Sequence, residues 1–96
     1  MKVRYRAQAL ADIDEIRRYL ETRSLSGARN VLRSIVAAIR FIAENPRGSK
    51  QTDDPDVHVK VIVEYPSKIF YSIRSDEVEI LHIRHSERRQ WKGERR

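Results

Sequence analysis

The chain has 96 residues, with 20 Lys and Arg against 14 Asp and Glu, and no cysteine. That length holds one domain around a small core and not two. The missing cysteines exclude a disulfide framework, thiol catalysis and cysteine-based zinc sites, in keeping with a reducing cytosol. The formal charge of +6 points to an anionic partner, either nucleic acid or an acidic protein.

The opening run from Met1 to Arg6 is too polar for a secretory leader. The apolar runs fall far short of the roughly 20 residues a membrane helix needs. A soluble, cytoplasmic, single domain over residues 1–96 is therefore expected, with no membrane partner. Its basic tail covers residues 85–96. From Arg84 to Arg96 there are six basic residues and two acidic ones.

Val3 and Tyr5 alternate with Lys2, Arg4 and Arg6, the pattern of a short strand with one basic face. From residue 8 to 22 the period changes. Leu10, Ile13, Ile16 and Leu20 recur at three and four, one stripe of a helix. Ser24 or Ser26 can cap a second helix over residues 27–44. Its stripe is Ala28, Val31, Leu32, Ile35, Ile39 and Ile42, and Asn45-Pro46-Arg47-Gly48 stops it. So short a connection predicts an antiparallel helical hairpin.

Residues 49–56 are polar and aperiodic and read as a loop. Then the period becomes two. Val57, Val59, Val61 and Val63 alternate with His58, Lys60, Ile62 and Glu64; Ile69, Tyr71 and Ile73 with Lys68, Phe70, Ser72 and Arg74. A third strand runs from Val78 to Arg84, apolar on both faces, which predicts a central strand covered on both sides. Turns at Tyr65-Pro66-Ser67 and Ser75-Asp76 make these an antiparallel meander. The expected fold is α+β, in the order β-α-α-β-β-β, with the hairpin packed on one face of an antiparallel sheet. The other face stays partly open, lined by the polar members of the strands.

Little in this pattern carries chemistry. His58, His82 and His85 have no carboxylate at a familiar ligand spacing, and His82 and His85, three apart on a strand, point to opposite faces. No metal and no cofactor is called for. Gly27, Gly48 and Gly93 are isolated, so no phosphate loop is present, and Ser86 beside His85 lacks the elbow of a serine hydrolase. One constellation remains. Lys60, Arg74, Arg84 and His85 on a sheet face could bind a phosphodiester and stabilise its transition state. RNA can be cut in this way without a metal, through its 2′-hydroxyl. The alternative is that these are solvated strand residues. Tyr65, Phe70 and Tyr71 could stack on bases, or pack in the sheet core and at its corners. Trp91, in the charged tail, reads either as an anchor for the tail or as a partner contact.

The order of elements and the last third of the chain resemble the ParE/RelE toxins of type II toxin–antitoxin systems. The specific residues are the helix stop at Asn45-Pro46, the strands from Lys68 to Ile73 and from Val78 to His85, and then Arg88 and Trp91. The resemblance implies a growth inhibitor neutralised by a cognate acidic antitoxin. That partner carries a disorder-prone segment that folds as it binds, adding a helix against the hairpin or a strand to the sheet edge. Arg17, Arg18, Arg29, Arg33 and Arg40 would meet its carboxylates, and Arg88 and Trp91 would contact antitoxin or target. ParE-like toxins act on DNA gyrase without cutting anything themselves. RelE-like toxins are endoribonucleases that cleave mRNA on the ribosome, and for them Lys60, Arg74, Arg84 and His85 are the catalytic candidates. The ending His85, Arg88, Trp91 lacks the tyrosine of many RelE-like nucleases and looks ParE-like. A third reading is a non-toxic basic domain that binds nucleic acid.

Overall fold

The computed structural model describes residues 1–85, so Arg88, Trp91 and most of the basic tail lie outside the described residues. The elements are β1 (Lys2–Tyr5), α1 (Ala7–Glu21), α2 (Leu25–Glu44), β2 (Lys50–Gln51), β3 (His58–Ile62), β4 (Ser67–Arg74) and β5 (Glu77–His85).

Each helix end has a local cause. Ser24 caps α2, its hydroxyl accepting the Gly27 N–H at 3.0 Å. Asn45 closes it, its backbone N–H and its side-chain amide both donating to the Phe41 carbonyl, and Pro46 bars continuation. The α1 N-terminus has no side-chain cap. There Arg6 hands the chain from sheet to helix, its N–H donating to the Ile80 carbonyl and its own carbonyl accepting from Ala9.

Both helices lie on one face of a five-stranded sheet of order β1-β5-β4-β3-β2. The core between them contains Ile16, Ile35, Ile39 and Ile42 from the helices and Ile62, Ile69, Tyr71, Val78, Ile80 and Ile83 from the sheet. On α1 the buried row begins at Ala9, while Leu10 is 54 % exposed. Ala9, Ile13, Ile16 and Leu20 keep the helical spacing. The small side chain falls at the N-terminal turn that Arg6 ties to β5.

The sheet is mixed, because β1 joins it parallel to β5, Val3 beside Val78 and Tyr5 beside Ile80. The meander of β3, β4 and β5 is antiparallel as expected. The polar segment after α2 adds a two-residue strand, β2, where the sequence reads as loop.

Two further differences bear on function. The apolar run in β5 comes from a bulge and not from cover on both faces. Tyr71 pairs with Ile80 and Phe70 with His82, so Leu81 is an extra residue between them. The extra residue returns Ile83 to the helix side beside Ile69 and puts His82 on the open side beside Phe70. The second difference lies in β3. Its polar members face the helices, and its valines face outward. Lys60 pairs with Ile69 and His58 with Tyr71, whereas Val59 and Val61 pair with Phe70 and Lys68 on the open face. Lys60 Nζ lies 4.2 Å from the centre of the Phe41 ring, and His58 stacks on Tyr71 at 5.3 Å, its Nδ1 buried with no hydrogen-bond partner among the described residues.

Candidate functional site

Four places carry charge or ring chemistry. The first is the open face of the sheet. Phe70 and His82 stack with ring centres 4.6 Å apart and planes within 7°. The Arg84 guanidinium stands 5.8 Å from the Phe70 ring. Burial pushes the His82 imidazole below its ordinary pKa, with Asp12 opposing and Arg84 assisting.

The second lies on the helix side, at the C-terminal end of β5. There His85 Nε2 and the Tyr65 hydroxyl are 2.8 Å apart, and Tyr19 of α1 meets the imidazole edge-on at 5.8 Å. Arg23 covers the Tyr19 ring at 4.5 Å. Tyr65 reads from the sequence as a turn residue and as a stacking or packing aromatic, not as a partner of His85. The sequence carries no signal for this pair, which depends on the β4–β5 register: Ser67 lies opposite His85, and Tyr65 is two residues before Ser67.

The third place is the pair of helix surfaces. On α1, Asp14 holds Arg17 at 2.6 Å and Arg18 at 2.7 Å, and Glu21 takes Arg17 at 3.2 Å. Hydrogen bonds from Arg18 first, then Arg17, hold the Asp14 carboxyl below its usual range. On α2, Arg29, Arg33 and Arg40 are exposed, and none makes an ion pair among the described residues. Arg33 has only a 3.4 Å hydrogen bond to Asn30.

The fourth is an open groove of about 360 Å³ between α2 and β3, with Ala37, Phe41 and Val61 in its walls.

The candidate set from the sequence is thus divided. Arg84 and Arg74 face the open side, but at opposite ends of the β4–β5 ladder, since Arg84 lies opposite Lys68 and Arg74 opposite Glu77. Lys60 and His85 face the helices, on different strands and in different neighbourhoods. The fold does not bring the four together. Of the aromatic candidates, Tyr71 and Tyr65 are buried and only Phe70 reaches the open face. Among the described residues no group of three or more His, Asp and Glu gathers that could hold a metal. No helix there is long and apolar enough to cross a membrane.

The model of the ParE toxin of the type II toxin–antitoxin system parDE matches residues 3–90. The chain belongs to the ParE toxin family. Its fold is similar to that of a chain in the chromosomal ParDE system of P. aeruginosa, with a TM-score of 0.77 at 20 % identity, covering 88 % of this chain and 95 % of that one. It is also similar to a chain of the intact E. coli RelBE toxin–antitoxin complex, with a TM-score of 0.57 at 13 % identity, covering 86 % and 93 %. At these identities the two structures speak for the fold. No curated protein sequence matches. Family membership makes this chain the toxin half of a type II system, and the two similar chains come from toxin–antitoxin systems, which supports an antitoxin partner.

Proposed function

We propose that this ParE-family toxin arrests growth as a binding module directed at DNA gyrase in the cytoplasm, and that an acidic cognate antitoxin keeps it silent. The observation that carries the proposal is the division of Lys60, Arg74, Arg84 and His85 between two faces and two ends of the sheet. A phosphodiester transition state needs its cations and its acid–base group within one reaction sphere. A binding module needs only a surface.

One observation favours the second reading, a ribosome-dependent RNase. The Tyr65–His85 pair supplies the acid–base couple that the sequence alone lacked. It faces α1, however, and Arg84 faces away from it. The basic tail with Arg88 and Trp91 would serve target contact in the first reading.

The test is a supercoiling assay with purified gyrase. The toxin should inhibit it, and Trp91→Ala or Arg88→Ala should weaken the inhibition. If supercoiling and cleavage-complex formation are untouched at toxic doses, gyrase is not the target. Loss of messenger cleavage on Tyr65→Phe or His85→Ala would then establish the RNase reading.

A further inference from the structure

The open face of the sheet matches its charges at one end and leaves them unmatched at the other. Toward the β4–β5 turn, Arg74 lies opposite Glu77. On the β1 side, Arg4 pairs with Glu77 and Arg6 with Glu79, each at 3.5 Å. At the other end Lys68 lies directly opposite Arg84. Both are exposed, and neither makes an ion pair among the described residues. Like charges opposite one another across a ladder repel. A third cation continues the row. Lys50 pairs with Val59, and Val59 with Phe70, so Lys50 faces the same side, two strands from Lys68. At about 4.8 Å between strands, Lys50, Lys68 and Arg84 span roughly 15 Å. Between them the open face carries Val59, Val61, Phe70 and His82, and no carboxylate.

A row of cations across a flat face fits a linear polyanion. The face has no helix or projecting ribbon to enter a groove and read bases. Phe70 and His82 stack on one another at 4.6 Å, so each spends a ring face that an unpaired base would need. What remains to be gripped is the phosphate backbone. We infer that Lys68 and Arg84, with Lys50 beside them, bind the phosphates of the duplex DNA that gyrase holds. Lys68 and Arg84 donate to one phosphate, whose charge removes their mutual repulsion. The inference rests on the gyrase reading and deepens it: the toxin meets the enzyme and its DNA together.

The test uses the full toxin in separate assays. The first measures binding to a labelled DNA duplex, without gyrase, over a range of salt. Lys68→Gln and Arg84→Gln should each weaken binding roughly threefold or more at low salt and reduce the salt slope by about one. Arg4→Gln, an equal loss of charge from a paired arginine, should leave both nearly as they were. Neither Lys68→Gln nor Arg84→Gln should lower the thermal midpoint, since each relieves repulsion. A lowered midpoint would assign the pair to the fold and overturn the inference. So would variants that bind duplex like wild type, or tighter binding of single-stranded RNA than of duplex DNA. Loss of binding to gyrase alone, with no DNA present, would assign the pair to an acidic protein surface, again overturning it. The last assay is gyrase supercoiling. If the wild type inhibits gyrase and the DNA assay fails, the gyrase reading stands without this site. If the DNA assay succeeds and gyrase is untouched, the phosphate site stands and the gyrase reading falls.

Discussion

The Asp12 carboxylate in α1 accepts the backbone N–H of Ile83 in β5 at 2.8 Å, across 71 residues of sequence. It does so just past the bulge at Leu81, where β1 has ended and the β5 edge would otherwise be bare. One side chain thus docks the first helix, satisfies an edge donor and comes within 4.0 Å of His82 Nδ1.

Loss of that carboxylate should be costly. Asp12→Ala strands the Ile83 N–H and should lower unfolding free energy by about 1–3 kcal/mol, while Asp12→Asn, which keeps an acceptor, should lose less. Urea denaturation of the two variants checks the order. Equal stability of Asp12→Ala and wild type would mean that water replaces the contact at no cost.

His82 gives the fold a pH dependence of known sign. Burial holds its pKa below the ordinary 6.5, against the pull of Asp12 and with the push of Arg84. Between the lowered folded value and 6.5, the unfolded chain therefore binds more protons than the folded one. Stability from this group is complete above 6.5 and is lost as pH falls through the folded pKa. Asp14, also lowered, adds a loss of the same sign nearer its ordinary 3.8. His82→Gln should flatten the upper part of the decline and leave the lower part, as thermal melts across that pH range would show.

Ser75, the first of the two turn residues between β4 and β5, has φ of 51°, a region that favours glycine. Ser75→Gly should raise stability by up to about 1 kcal/mol, because the relieved strain exceeds the extra entropy of the unfolded glycine. A lowered denaturation midpoint would show that the serine side chain contributes more than its backbone costs.

The Tyr71 hydroxyl donates to the Pro46 carbonyl at 2.7 Å, fastening the end of α2 to the middle of β4. Tyr71→Phe keeps the ring and its stack with His58 but leaves that carbonyl without this donor, and should cost about 1 kcal/mol. Ile42→Ala, at a fully buried position in the same layer, should cost more, about 2–5 kcal/mol. Reversal of that order in chemical denaturation would place the main fastening of α2 in the hydrogen bond.

The helices were legible in the sequence because burial on one side writes a three-and-four spacing directly, as in Ile35, Ile39 and Ile42. The β3–β4–β5 meander was legible because its turns are short. What the sequence concealed depends on distant partners. One inserted residue at Leu81 makes β5 look apolar on both faces. β1 pairs with β5 across the whole intervening chain, and two residues are too few for β2 to show a period. The face assignment of β3 was hidden for another reason. Lys60 can lie inward because its stem runs along apolar surface and its ammonium rests on the Phe41 ring, and that leaves the valines on the open side. The candidate cations were identifiable as residues, but which of them share a surface was set by the bulge and by that inversion.

We propose that this toxin acts by occupying gyrase and not by cutting RNA. Its most direct test is induction of the toxin in cells lacking antitoxin, with chromosome integrity and messenger integrity followed in the same culture. Occupation of gyrase should give chromosome breakage and a DNA-damage response while translated messages stay whole. Codon-phased cuts in those messages, with the chromosome intact, would contradict it.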